Sequence, residues 1–249
     1  MILEIDYGST RLKWRLLEAS SARLVAEGAV STVQALLPQL RAAGCLSIVY
    51  CRACSVRNAE DNKQLSCLLE KHYGVVTQYA QSVKQLAGVT NGYLQAEKLG
   101  VDRWLAIIAG YTQLKHACVV IDCGTAITVD YVAADGQHLG GCIAPGLNIL
   151  ARALSSGTQL QLEHELLTAA VGKLGTSTQI AVAAGIQAML RGFIQEQIDT
   201  AKDVLGPMFS VICTGGDSLW VCDAIDNMVI DKDLVFTGLA IACPYGAKE

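Results

Sequence analysis

Over residues 11–17 apolar and polar side chains alternate as far as Leu16: Leu12, Trp14 and Leu16 take one side, Arg11, Lys13 and Arg15 the other. A period of two predicts a strand with one buried face. It follows an apolar start, Met1-Ile2-Leu3, which with Ile5 predicts a buried strand over 2–6 and a tight turn between the two. A third strand fits 23–30. Helical spacing appears over 32–43, with a break near Pro38, because proline lacks the amide a helix interior needs. Strands over 45–51 and 75–79 flank a helix over 57–73, and a further helix runs from Gly100 to about 115. The plan then starts again. Strands fit 117–122, 127–133 and 137–143, a helix follows Pro145-Gly146, and a long helix fits 178–204. A strand over 208–213, a helix after Gly216 and a last strand near 234–236 complete the chain. Three strands followed by alternating helices and strands, twice over, predict an internal duplication of one α/β unit. The boundary falls near residue 116, giving domains over 1–116 and 117–249.

The duplication is also spelled out in residues. Ile5-Asp-Tyr-Gly-Ser-Thr10 returns as Ile121-Asp-Cys-Gly-Thr-Ala126, each after an apolar run. The pattern is a buried strand, an aspartate at its end, a glycine two residues on, then a hydroxyl. The carboxylate can hold a cation, the glycine lets a phosphate approach the backbone, and hydroxyl and N–H groups can bond its oxygens. Two such turns facing each other would clamp a nucleotide's phosphates between two similar domains. The first turn extends to Lys13, and a hairpin can aim Thr10 and Lys13 at one phosphate, lysine supplying a compact positive charge. A Walker loop is not present: Gly172-Lys173 is followed by leucine. No GxGxxG opens a βαβ unit either, so the nucleotide reading rests on the paired turns.

Composition narrows the class. The chain has 249 residues, 52% hydrophobic and 17% charged, which supports a substantial core rather than disorder. Net charge is −4, no basic block occurs and aromatics are 6%, which argues against nucleic-acid binding by phosphate neutralisation. Glu4 and Asp6 interrupt the first apolar stretch, so a signal peptide is not expected, and no apolar run reaches the ~20 residues of a membrane helix. A cytoplasmic protein without membrane partners is the expectation. Several of the ten cysteines (Cys45, Cys118, Cys142, Cys213, Cys243) sit in apolar runs and read as core thiols. Cys51 and Cys54 form a CxxC without a second pair at zinc spacing. The histidines are scattered and read as surface or core residues.

Gly100-Val101-Asp102-Arg103 opens a helix whose apolar positions Val101, Trp104, Leu105 and Ile108 form a stripe. Asp102 then lies in the first turn, where the helix dipole favours the ionised carboxylate, as suits a base. Arg103 beside it can grip a carboxylate at two points.

Taken together the motifs resemble the type III pantothenate kinases, members of the acetate and sugar kinase, Hsp70 and actin superfamily. The family's first phosphate motif, Asp-x-Gly-Asn-Thr-x-x-Lys, is matched from Asp6 to Lys13 with Ser9 in place of asparagine. The second is matched by Asp122-Cys-Gly-Thr-Ala-Ile-Thr-Val-Asp130, and the third by Gly100 to Arg103. Gly140-Gly141-Cys-Ile-Ala-Pro145-Gly146 and Thr214-Gly215-Gly216 also match, while Ala96 stands where the family tends to have proline.

The resemblance implies an α/β fold of duplicated ribonuclease-H-like, actin-like ATPase domains with an interdomain nucleotide cleft. It implies ATP-dependent phosphorylation of pantothenate to 4′-phosphopantothenate, the first step toward coenzyme A. On that basis Asp6, Tyr7, Gly8, Ser9, Thr10, Arg11, Leu12 and Lys13 bind ATP together with Thr125, Gly215 and Gly216. Asp6 partners Mg²⁺ directly or through water. Asp122 holds a monovalent cation, potassium or ammonium. Asp102 is the base for the pantothenate hydroxyl, with Tyr93, Gly100, Val101 and Arg103 lining the substrate site. Thr178 matches a substrate contact across a homodimer interface, although an ordinary helix N-cap would look the same. A homodimer also fits the long helix, whose Ile180, Val182, Ile186, Met189 and Leu190 carry more apolar surface than one face needs. Two alternatives stand beside this reading: another small-molecule kinase of the superfamily, and a non-enzymatic transcription accessory factor.

Overall fold

A computed structural model describes residues 1–156, 162, 167–169, 174–221, 225 and 228–246. The first sheet contains β1 (Ile2–Tyr7), β2 (Leu12–Leu17), β3 (Leu24–Val30), β4 (Tyr50–Ser55) and β5 (Thr77–Tyr79) in the order β3-β2-β1-β4-β5. A short hairpin follows, β6 (Gln85–Leu86) and β7 (Val89–Thr90). The second sheet contains β8 (Cys118–Cys123), β9 (Ala126–Val132), β10 (His138–Pro145), β11 (Ser210–Thr214) and β12 (Met228–Ile230) in the order β10-β9-β8-β11-β12. Both sheets have the same directions: three antiparallel strands, then two parallel additions beside the first. This is the duplicated ribonuclease-H-like, actin-like topology that the resemblance implied.

The helices are α1 (Leu36–Ala42), α2 (Ala59–Tyr73), α3 (Val101–Leu114), α4 (Leu147–Ser155), α5 (Thr178–Leu205), α6 (Ser218–Val221) and α7 (Leu234–Ala242). Their ends follow local chemistry. Asn58 caps α2 by accepting from Asp61 N–H at 2.8 Å, and Gly74, at φ 64°, closes it in the left-handed region that favours glycine.

Each sheet packs a hydrophobic cluster on one face. In the first, Leu3, Ile5 and Tyr7 of β1 join Leu12, Trp14 and Leu16 of β2 under Leu36 and Leu40 of α1 and Leu65 and Leu69 of α2. The other face carries a buried charge cluster. Glu4 is bonded by Arg15 at 2.6 Å and Arg52 at 2.5 Å. Arg52 also donates to the Cys243 carbonyl at 2.8 Å, and Arg15 lies 4.4 Å over the Phe236 ring. A buried carboxylate is tolerable only when so fully paired, and here the pairing fastens the end of α7 to the sheet. In the second, Val119, Ile121 and Cys123 of β8 and Ile127, Val129 and Tyr131 of β9 pack under Ile186, Leu190 and Ile194 of α5.

Several expectations change. Residues 234–236 are the start of helix α7, not a strand; the last strand is β12. An apolar run such as Leu234-Val-Phe fits a buried strand or a helix buried all round, and periodicity does not separate them. The strand expected over 45–51 lies at Tyr50–Ser55, because parallel pairing with β1 runs from Ile2↔Tyr50 to Tyr7↔Ser55. The chain divides into two compact units, Met1–Ala109 with Asp233–Glu249, and Gly110–Lys232. The second unit thus begins inside α3 rather than near 116, and the C-terminal segment rejoins the first.

Cys51 and Cys54 are both buried on β4, three positions apart on an alternating strand and hence on opposite faces. Burial pushes the Cys51 thiol up to about 12, and Cys54 is equally buried, so this CxxC belongs to the core. Cys142, read as a core thiol, is exposed on β10, and no cysteine among the described residues is in a disulfide. His138 is buried and bonded to buried Asp130 at 2.9 Å. Among the described residues no helix is long and apolar enough to cross a membrane.

Candidate active site

The first turn is built by the β1–β2 hairpin. Gly8 N–H donates to the Arg11 carbonyl at 3.1 Å, and a Cβ at Gly8 would lie 3.3 Å from that oxygen. The register pairs Asp6 with Lys13, so both side chains leave the same face of the sheet. Lys13 Nζ sits 3.8 Å from Asp6 Oδ2. Burial pushes the Asp6 carboxyl up to about 6; Lys13 pulls it down, and the charge of Asp102 pushes it further up. The Asp102 carboxylate is therefore near enough to Asp6 to be felt. Ser9, Thr10 and Arg11 are exposed at the tip. Tyr7 and Leu12 point into the hydrophobic core, so only their backbone can meet a ligand.

Asp102 and Arg103 lie in the first turn of α3, as expected. Asp102 Oδ1 accepts the Arg103 N–H at 2.8 Å, and Trp104 N–H reaches the Gly100 carbonyl at 2.9 Å. A Cβ at Gly100 would lie 2.8 Å from Asp102 Oδ1. The helix is buried more widely than a stripe: Trp104 through Ala109 are all buried, while Val101 is only half-buried. Arg103 is 6% exposed, donates from Nη1 to the Tyr93 hydroxyl at 2.9 Å, and lies 5.7 Å from that ring's centre. Tyr93 borders an open pocket of about 480 Å³ with Leu94, Gln95 and Lys98.

The second turn repeats the first with one residue fewer. Tyr7 pairs with Leu12 across the first turn, but Cys123 pairs with Ile127 across the second. Thr128, not a lysine, thus stands opposite Asp122. Gly124 N–H closes the turn on the Ala126 carbonyl at 3.1 Å, leaving Thr125 exposed. Two glycine segments press against it. A Cβ at Gly146 would lie 2.5 Å from the Gly124 carbonyl oxygen, and one at Gly215, where φ is 92°, 2.6 Å from Asp122 Oδ1. Asp217 N–H bonds the Cys123 carbonyl at 3.1 Å, fixing Gly215-Gly216 beside the turn.

Within the first unit, then, Asp6 and Lys13 come together, the charge of Asp102 acts on Asp6, and Tyr93 meets Arg103. Within the second, Asp122, Thr125 and Gly215 do. Thr178 stands apart as the exposed first residue of α5; the cap is Ser177, whose hydroxyl accepts the Ile180 N–H at 3.3 Å. The capping explanation for Thr178 therefore falls away. Two residues escaped notice in the sequence. Asn91 is fully buried; its Oδ1 accepts the Tyr93 N–H at 2.9 Å, and its Nδ2 reaches the Val83 and Ala96 carbonyls at 3.3 and 3.1 Å. Arg57 donates to the Ser9 carbonyl at 3.0 Å. Neither belongs to a spaced motif, and only an asparagine two residues before a candidate aromatic hinted at the first.

Residues 2–200 match the sequence pattern of the type III pantothenate kinases. Type III pantothenate kinases of Pseudomonas aeruginosa (strain UCBPP-PA14) and Azotobacter vinelandii (strain DJ) are 44% and 40% identical, each over 98% of this chain and 99% of the relative. Among solved structures, a Campylobacter jejuni protein described as a Baf family transcriptional activator superposes over 95% of this chain and 94% of its own, with TM-score 0.59 and 19% identity. A Sinorhizobium meliloti protein described as a 2-dehydro-3-deoxygalactonokinase does so over 97% and 98%, with TM-score 0.57 and 11% identity. At such identities the structural likeness speaks to the fold alone. The sequence relatives, which span nearly the whole chain, settle the family: this chain belongs to the type III pantothenate kinases.

Proposed function

We propose that the chain transfers the terminal phosphoryl group of ATP to the primary hydroxyl of pantothenate, with Asp102 as the base. What supports this is the family match along nearly the whole chain together with the Asp6–Lys13 pair at 3.8 Å, whose carboxyl also responds to the charge of Asp102. In this reading Asp102 orients the attacking hydroxyl and takes its proton as the oxygen bonds to phosphorus, and ADP leaves. Arg103, held against Tyr93, meets the pantothenate carboxylate with its planar fork. Gly8, Ser9, Thr10 and Lys13 hold phosphate oxygens. Most of the rate gain comes from positioning and charge stabilisation.

Mg²⁺ fits a site with one semi-buried carboxylate, Asp6, since it commonly keeps phosphate and water ligands; bound, it would neutralise charge on the phosphates. Among the described residues no cluster of three or more His, Cys, Asp or Glu offers a metal cage. A monovalent cation is assigned to Asp122. The support is an oxygen-lined cradle that a side chain at Gly215 would fill. A homodimer is proposed through α5: Ile186 and Leu190 face the core, but Met189 is 62% exposed and Leu174, just ahead of the helix, 88%. Light scattering showing a fully active monomer of 26.4 kDa would refute it.

The main test is ADP release with ATP, Mg²⁺ and potassium against a panel of pantothenate, hexoses and acetate. Pantothenate should stand far above the rest. Equal release on hexoses would favour a different small-molecule kinase, and none on any substrate a non-enzymatic role.

A further inference from the structure

We infer that Arg57 is a positioning residue for ATP, acting through the backbone of the first phosphate turn. The inference rests on the reading of residues 6–13 as a phosphate site. Arg57 donates from Nη1 to the Ser9 carbonyl at 3.0 Å and from Nε to Asp61 Oδ2 at 2.8 Å. Its guanidinium carbon lies 5.4 Å from the centre of the Tyr7 ring. Its own N–H bonds Ser55 Oγ at 3.2 Å, and the neighbouring Val56 N–H bonds the Tyr7 carbonyl at 3.2 Å. The anchor end is rigid, because Asp61 sits in the first turn of α2, where Asn58 caps its amide.

The consequence follows from peptide geometry. In a planar trans peptide the carbonyl and the next amide point in opposite directions. A Ser9 carbonyl drawn toward Arg57 turns the Thr10 N–H to the other side of the turn. A turn free to flip would present that donor part of the time and the carbonyl oxygen, repulsive to phosphate, the rest. Arg57 thus fixes which face of the Ser9–Thr10 peptide a phosphate meets, and it does so without touching the phosphate. The planar fork matters: one guanidinium spans Ser9 and Asp61 together, which a lysine ammonium on a flexible stem does not reproduce.

The test is steady-state kinetics on the full chain, with MgADP affinity by calorimetry and Tm for each variant. Arg57→Ala should raise KM for ATP about tenfold, the scale of one lost charged hydrogen bond, and weaken MgADP to match. Its kcat at saturating ATP should stay within about threefold and its KM for pantothenate should not move. Arg57→Lys should resemble Arg57→Ala. If Arg57→Lys restores the wild-type KM, charge rather than positioning is at work and the inference is overturned. A lowered Tm with unchanged KM for ATP overturns it too. Lys13→Ala is the control: if it also leaves ATP binding intact, the phosphate reading of the whole turn is wrong, whereas Lys13→Ala impaired and Arg57→Ala unimpaired removes only Arg57.

Discussion

The Asp102 carboxylate occupies the space that a side chain at Gly100 would need: a Cβ there would lie 2.8 Å from Asp102 Oδ1. Gly100 is thus required by its neighbour's side chain and not by backbone strain, since its φ lies outside the left-handed region. Gly100→Ala should push the carboxylate out of place. We expect kcat to fall at least tenfold, as misplacement of a catalytic group by about an ångström does, with Tm shifted by only a few degrees. Activity and thermal melts on one preparation check this; full activity would show that Asp102 need not sit where it does.

Asp102→Asn and Arg103→Lys should fail in different ways. Asparagine keeps the shape but accepts no proton, so kcat should fall roughly 10²–10⁴-fold with little change in either KM. Lysine keeps the charge at 103 but loses the fork and the fit to the Tyr93 hydroxyl, so KM for pantothenate should rise more than kcat falls. Should Asp102→Asn retain more than about a tenth of wild-type kcat, positioning alone would have to explain the rate.

Asp6 makes stability and activity depend on pH. Burial raises its carboxyl from 3.8 to about 6, so the folded chain keeps this proton at pH values where the unfolded chain has lost it. The contribution is present in acid and disappears as pH rises from 3.8 to about 6. Asp6→Asn should flatten that slope in the ligand-free protein and stabilise it at pH 7 by no more than ~3 kcal/mol. Activity runs the other way, because the ionised carboxylate serves Lys13 and Mg²⁺: kcat/KM for ATP should decline below about pH 6. Melting curves and pH–rate profiles measure both.

The second turn predicts a cation dependence. Rates in potassium, ammonium and sodium chloride at matched ionic strength should favour the first two. Asp122→Asn should raise the potassium concentration needed for half-maximal rate by about tenfold, the scale of one lost charged contact. Gly215→Ala, whose new methyl would meet Asp122 Oδ1 at 2.6 Å, should do at least as much. Identical rates in all three salts would remove the cation from Asp122.

Much of the candidate site could be read before the fold, because its residues are held by local geometry. Asp6, Gly8 and Lys13 share one hairpin, and alternation alone puts Asp6 and Lys13 on one face. Gly100 to Arg103 share one helix turn. Asn91 and Arg57 could not be read this way. Each is a single polar residue whose partners, Tyr93 and Ala96 for one, Ser9 and Asp61 for the other, are fixed by how separate segments pack. The same distinction explains the misplaced strand at 234–236, since nothing local says whether a short apolar run will be covered on all sides.

The sequence by itself determined the repeated strand–turn unit, the family and the two Asp-x-Gly turns, because each is carried by a period or a spacing within a few residues. Only the tertiary structure decided that the last helix returns to the first sheet, drawn there by Arg15 and Arg52 around the buried Glu4. It also brought the charge of Asp102 to bear on Asp6, from ninety-six positions along the chain. Burial and charge are properties of what surrounds a residue, and the surroundings of Glu4 and Asp6 are assembled from segments that the chain order keeps far apart.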